Sequence, residues 1–287
     1  MVQFLSLKQA IAENLNDGDA VAFEGFTHLI PHAAAHEAIR QGKKNLTLIR
    51  MTPDIIYDQL VGMNCASKLV YAYVGNPGVG LLRRVSDAVK EEWPAPLELE
   101  EYSHAGMASA YEAGAAGLPC AIYRGYTETG LKHVNPNYKF IDCPFTGETL
   151  TAIPSINPDV GIIHAQRANK KGDVLVEGIT GVQKETALAS KKVVVTVDEI
   201  VDDFDNVHHN ACVLPSWTLT AIVHVPGGSH PSYSHGVYNR DNSFYLEWDK
   251  ISSDRETFLA WMEENVLNVG PEVFAERVEK LRGSRHA

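Results

Sequence analysis

The chain has 287 residues and a mass of 31.5 kDa; with 45% hydrophobic and 21% charged residues it has the composition of a globular protein able to bury a sizeable core, which excludes a disordered chain. Its 25 basic and 36 acidic residues give a net charge of -11, and the basic pairs Lys43-Lys44, Arg83-Arg84, Lys170-Lys171 and Lys191-Lys192 are far apart, so neither nucleic acid nor a membrane is an expected partner. Cys65, Cys120, Cys143 and Cys212 form no Cys-x-x-Cys pair, no segment approaches the ~20 apolar residues of a membrane span, and no secretory signal opens the chain; a cytoplasmic protein is expected.

In chain order, Leu5 to Leu15 has helical spacing, and Asp17-Gly18-Asp19 turns it into the apolar strand Ala20-Val21-Ala22-Phe23. Glu24-Gly25-Phe26-Thr27-His28-Leu29-Ile30 leads to Pro31, which suits the start of a helix closed by Gly42. Leu46 to Ile49 is the returning strand. Such a crossover is right-handed almost without exception and makes the two strands parallel, so Glu24 to Leu29 falls at the carboxyl edge of a sheet, where α/β proteins bind ligands. A helix is expected over Asp54 to Met63, a strand over Leu69 to Val74, a glycine loop at Gly75-Asn76-Pro77-Gly78-Val79-Gly80, and a helix from Leu81 to Trp93. A strand over Leu97 to Glu101 follows. The small residues between His104 and Gly117 suggest a helix pressed closely against a neighbour.

Cys120 to Tyr123 reads as a strand, and Arg124 to Phe145 as a long polar loop over the surface or a partner. Strands are expected over Val160 to Ala165, Val174 to Val176, Val193 to Val197 and Ala221 to Val225, with a helix over Gln183 to Ser190. Asp254 to Leu267 and Glu272 to Leu281 form a helical carboxyl end, about 252–283. This alternation predicts one doubly wound α/β domain over 1–287, built on a mostly parallel sheet.

Several motifs invite chemistry. The glycines at 75–80 are in the wrong order for a dinucleotide fingerprint, which leaves a close backbone approach to some ligand level with a purely structural turn. His32 and His36 stand one helical turn apart but lack a third ligand, so no metal is expected. Glu24 ends a buried strand, where it either ties down the turn or faces a site. Gly25-Phe26-Thr27 offers successive backbone amides to an oxyanion. No Ser/His/Asp order, nucleophile elbow or activated cysteine is evident. The residues alone therefore point to an α/β subunit with an anion or carbonyl site whose nucleophile lies elsewhere.

The stretch Glu24 to Pro31 resembles the glycine turn and following proline of alpha subunits of family I coenzyme A transferases. Lys139 to Glu148, Ile163-His164-Ala165-Gln166 and Gly227 to Ser232 are similar to segments of the same subunits, collinear from about Leu5 to Trp261. The resemblance implies the glutaconate CoA-transferase alpha-like fold, coenzyme A and acyl-CoA as substrates with no permanently bound cofactor, and a beta subunit, in an α2β2 assembly, that supplies a nucleophilic glutamate. Transfer from succinyl-CoA to 3-oxoadipate in aromatic catabolism is the expected reaction, with glutaconate as the alternative acid and a non-catalytic binding protein as the alternative class. Glu24, Gly25, Phe26 and Thr27 are then the expected oxyanion and CoA-binding residues. His28, Arg50, Asn76, Gly78, Ser103, His104 and Arg124 are the expected substrate pocket, with Arg50, His28 and Arg124 as candidate cations for a second carboxylate. Glu24 replaces the first glycine of the common turn. Related ring-cleaving hydrolases carry a glutamate near His104, so hydrolase chemistry is not expected.

Overall fold

A computed structural model describes residues 2–77, 79–205 and 207–283. Among the described residues the strands are β1 (Gln3–Phe4), β2 (Ala20–Glu24), β3 (Leu46–Arg50), β4 (Ala66–Tyr71), β5 (Glu98–Glu101), β6 (Cys120–Tyr123), β7 (Lys139–Asp142), β8 (Thr149–Pro154), β9 (Val160–Asn169), β10 (Val174–Val176), β11 (Lys192–Val201), β12 (Cys212–Leu214) and β13 (Ala221–His224). The helices are α1 (Leu7–Asn14), α2 (His32–Arg40), α3 (Ile55–Gly62), α4 (Arg83–Lys90), α5 (His104–Ala115), α6 (Leu131–Val134), α7 (Gln183–Ala189), α8 (Asn242–Ile251), α9 (Arg255–Met262), which runs on as a π turn over Glu263–Leu267, and α10 (Val273–Gly283).

The main sheet runs β1-β13-β11-β9-β2-β3-β4-β5, with every neighbouring pair parallel; β10 adds antiparallel to β9, and β12 to β10. Successive strand residues face opposite cores. Val21 and Phe23, Leu48, Leu69, Ile162 and Val194 lie with α1 to α4 and α8 to α10 on one side, while Ala22, Ile49 and Val70 meet α5, and Ile163 and Val195 meet α7, on the other. Burial on both faces is why β9 and β11 read as continuous apolar runs, each buried aliphatic side chain contributing ~1.5–3 kcal/mol.

From β2 the chain winds outward to β3, β4 and β5, whereas from β9 it winds the other way to β11 and β13. The order therefore reverses between β2 and β9. Ligands of such sheets bind outside the carboxyl ends of the strands near this point.

Gly42 takes φ +65° just past α2, and its N–H and that of Lys43 return to Ile39 and Ala38 carbonyls at 2.9 and 3.1 Å, a glycine stop of the expected kind. The close packing expected of α5 also occurs. A Cβ on Gly114 would come 2.1 Å from the Ile156 carbonyl oxygen and 3.1 Å from Ala189 Cβ, and one on Gly106 would come 1.8 Å from the Tyr126 hydroxyl.

Two expectations are corrected. The segment 124–145 is not a loop throughout: it contains α6 and β7, and β7 joins β6 and β8 in a separate antiparallel sheet, order β6-β8-β7. That sheet is anchored by Ala121 and Ile153 but leaves β7 exposed, so its pattern gave little sign of burial. The helical end begins at Asn242 with α8, not near 252. Asp241 caps α8 by accepting from Phe244 N at 3.0 Å, and Tyr245, Trp248 and Ile251 are its buried stripe, a legible helix signal that the sequence reading passed over.

Candidate functional site

Because β2, β3 and β4 are parallel neighbours, the segments that follow them emerge on one edge. Those segments, with Arg240 and Tyr245 from the region of α8, enclose a cleft of about 150 Å³ lined by Phe26, Thr27, Arg50, Thr52, Asp54, Tyr73, Gly75, Pro77, Arg240 and Tyr245.

The turn after β2 is tightly wound. A Cβ on Gly25 would meet the carbonyl oxygens of Leu29 and His28 at 2.6 and 2.8 Å, so only glycine fits, and Thr27 and Leu29 take φ +63° and +53°. Left-handed backbone at two non-glycine residues costs energy that the surroundings must offset. The segment 228–233 supplies part of it: Leu29 N donates to Tyr233 O at 2.9 Å, Ile30 N to Ser232 Oγ at 3.1 Å, and Ala33 N to Gly228 O at 2.9 Å.

Glu24 ties down the turn. It is 2% exposed, and its oxygens accept from Met51 N at 3.0 Å, Tyr111 OH at 3.2 Å and the adjacent Gly25 N at 3.2 Å. Burial pushes its pKa up, opposed by the Arg50 charge and these donors. The Gly25 amide, expected to face an oxyanion, is thus already engaged by Glu24. Phe26 N and Thr27 N donate to no described group of the chain.

Arg50 is buried beneath the turn. Its Nη1 bonds Asp54 Oδ1 at 3.0 Å, its Nη2 donates to the Gly25 carbonyl at 2.8 Å, and the guanidinium lies 5.5 Å from the Tyr57 ring centroid. His28 is also buried, stacked on Tyr233 with centroids 4.7 Å apart, and its Nε2 lies 2.5 Å from the Ile179 carbonyl. That carbonyl can only accept, so Nε2 carries the proton; burial lowers the His28 pKa to about 4, and the ring is neutral near pH 7.

The other expected residues are not all gathered here. Asn76 is buried, donates to Tyr245 O at 2.9 Å and closes its own loop on Gly80, so it holds the cleft wall in place. Gly78 lies outside the described residues. Ser103 caps α5, accepting from Gly106 N at 3.1 Å and meeting Tyr126 OH at 2.8 Å; His104 is exposed at the start of the same helix. Arg124 is exposed beside the small sheet and pairs with Glu148 at 2.9 Å. No group of three or more metal-ligating side chains forms among the described residues, and His36 Nε2 instead meets Gln59 Oε1 at 2.7 Å.

The sequence reading missed Arg240. Its guanidinium lies 3.9 Å from the Tyr245 ring centroid and donates to Pro77 O at 3.3 Å, and the residue lines the cleft. A larger cavity of about 510 Å³ opens at the carboxyl ends of β9 and β11, but Arg167 there is paired with Glu177 at 3.0 Å, Arg282 donates to Val237 O at 2.8 Å, and Asp198, Glu199 and Glu279 make it acidic. The smaller cleft, with Arg50 and Arg240 in its lining, is the less acidic of the two.

The family model for coenzyme A transferase matches residues 4–225. The chain belongs to the coenzyme A transferase family. It is 58% identical over 281 residues, 98% of its own length and 99% of the relative's, to the A-type subunit of the 3-oxoadipate CoA-transferase of Pseudomonas knackmussii. It is 32% identical to the A-type subunit of the glutaconate CoA-transferase of Acidaminococcus fermentans over 94% of this chain and 89% of that protein. The crystal structure of glutaconate coenzyme A-transferase from that organism matches with a TM-score of 0.87 at 31% identity, covering 96% of this chain and 92% of that one. A variant of the decarboxylase AibA/AibB matches with a TM-score of 0.79 at 25% identity, covering 90% and 98%. The two turn amides without a partner in the described chain are able to donate to an anionic oxygen. Among the described residues, no helix is long and apolar enough to cross a membrane.

Proposed function

We propose that this chain is the alpha subunit of a two-chain CoA-transferase that moves CoA from succinyl-CoA to 3-oxoadipate. The observation that carries the reading is the end-to-end likeness, at 58% identity, to a protein named for that activity and named as one subunit of it. The cleft supports the two-chain form, because its carboxylates are already committed: Asp54 to Arg50, and the neighbouring Glu24 to three donors.

In this reading the carboxylate of a glutamate on the partner chain attacks the thioester carbon, and the Phe26 and Thr27 N–H groups donate to the oxygen as it gains charge. Collapse breaks the C–S bond and leaves an acyl-glutamyl anhydride with free CoA thiolate. The thiolate then attacks the glutamyl carbonyl, releasing succinate and forming an enzyme-CoA thioester. 3-Oxoadipate reverses the sequence and leaves as its CoA thioester. Coenzyme A enters only as substrate.

In the same reading Arg240 receives the second carboxylate of the acid, supported by its place in the cleft lining and by the pairing of Arg50 and Arg124 and the neutral His28 ring near pH 7. The likeness to glutaconate CoA-transferase favours a shorter diacid as the second reading. The test is transfer from succinyl-CoA to 3-oxoadipate and to glutaconate by this chain with its partner chain. Transfer to 3-oxoadipate at the higher kcat/KM is expected; preference for glutaconate selects the second reading, and no transfer to either acid rejects both.

A further inference from the structure

We propose that Arg50 is a positioning residue that orients and polarises the peptide unit donating to the oxyanion, and is not a counter-ion for the substrate's carboxylate. The inference rests on the assignment of the Phe26 and Thr27 amides to the oxyanion site and names the group that makes one of them effective.

The peptide between Gly25 and Phe26 contains the Gly25 carbonyl and the Phe26 N–H. The cis peptides among the described residues are Trp93-Pro94 and His230-Pro231, so this unit is trans and its C=O and N–H point in opposite directions. Arg50 Nη2 holds the carbonyl oxygen at 2.8 Å, which turns the Phe26 N–H away from the guanidinium, and that N–H has no partner in the described chain. The guanidinium hydrogen bond to the carbonyl oxygen also draws density from the nitrogen and strengthens the opposite donor, as in any polarised hydrogen-bond chain. The preceding peptide is held as well, by Glu24 on the Gly25 N–H. Both peptide planes at Gly25 are therefore fixed from below.

The position of Arg50 fits this role and not the other. It is 1% exposed, Nη1 is committed to Asp54 at 3.0 Å, and Nε is buried without a partner, so no pair of donors faces the cleft in the fork a carboxylate would take. Only arginine can span Asp54 and the Gly25 carbonyl at once from one rigid plane; lysine keeps the charge and loses the span.

The test uses this chain with its partner chain and the variant R50K. The expected result is a fall in kcat of about tenfold to a hundredfold, no more than the loss of an oxyanion donor outright, by the same factor for diacids of different length and with the KM for the diacid within about twofold. A selective rise in the KM for diacids with kcat kept would make Arg50 the counter-ion and overturn the proposal. Asp54 left unpaired could unfold the chain, so the double variant R50M with D54S is the second arm: it removes both buried charges, keeps a helix cap at position 54, and is expected to show the same fall in kcat; wild-type kcat overturns the proposal.

The thioester carbonyl stretch of isotopically labelled succinyl-CoA, bound to enzyme whose partner glutamate is replaced, separates the two layers of the inference. A downshift in the wild type that shrinks in R50K supports it. An equal downshift in both rejects the role of Arg50 alone, and no downshift in the wild type rejects the oxyanion reading beneath it.

Discussion

Arg240 and Arg50 approach the same cleft and differ in what they have left to give. Arg50 is held by Asp54 and the Gly25 carbonyl, whereas Arg240 rests on the face of Tyr245 and a single carbonyl. A charge-assisted hydrogen bond contributes ~1.5–3 kcal/mol, so R240A should raise the KM for the diacid by about tenfold or more with kcat little changed. An unchanged KM would remove Arg240 from the acid pocket. At this scale the sequence was informative about type and silent about pairing. Glu24 was recognisable as a carboxylate at the end of a buried strand, but whether it faced a ligand or the turn depended on Met51, Tyr111 and Gly25 arriving around it.

At the scale of elements, α5 shows that small residues in a row report a close neighbour without naming it. The sequence alone leaves that neighbour unidentified. In the structure Gly114 faces the Ile156 carbonyl and Ala189, and Gly106 faces Tyr126, so these glycines are used within the chain. A backbone carbonyl at 2.1 Å from an added Cβ cannot rotate away as a side chain would. G114A should therefore destabilise the fold by about 1–3 kcal/mol, read as a lower urea midpoint with unchanged m-value. A midpoint equal to that of the wild type would show that α5 can slide. Asp58 makes a different junction: its carboxylate accepts from Arg84 N at 2.8 Å and Val85 N at 3.0 Å at the start of α4, and from Trp248 Nε1 at 3.1 Å in α8. One buried charge thereby joins three helices.

At the scale of the whole molecule, several titratable groups are buried. Burial holds His28 at about 4 and His36 at about 3, depresses His32 well below its ordinary range and lowers His230, while it raises Asp58 to about 6 and also raises Glu24. A histidine whose folded pKa is depressed stabilises the fold above the unfolded value near 6.5, and that stability is lost as pH falls toward the folded value, because the unfolded chain takes up the proton first. Asp58 and Glu24 act in the opposite sense, protonating first in the folded state. The four histidines outnumber them, so the urea midpoint should fall between pH 7 and pH 4.5. A flat or rising midpoint over that range would mean that these rings take up protons without unfolding.

The sequence by itself determined the alternation of strands and helices, the burial of the sheet on both faces, the placement of the turn after β2 at the carboxyl edge, and the likeness to the transferase family. These follow from periodicity of two or 3.6 residues and from glycine and proline chemistry, which act within a few positions of the chain. It did not determine the small sheet of β6, β7 and β8, whose exposed strand alternates too weakly to signal burial. Nor did it determine which of its arginines lie at the cleft and with what partners. Only the tertiary structure showed how the candidate cations are engaged, by folding Arg240 back beside Pro77, setting Arg50 against the Gly25 carbonyl, and sending Arg124 to the surface. The reason is physical: a charged side chain acts according to its desolvation and its partners, and both are set by residues far from it in sequence.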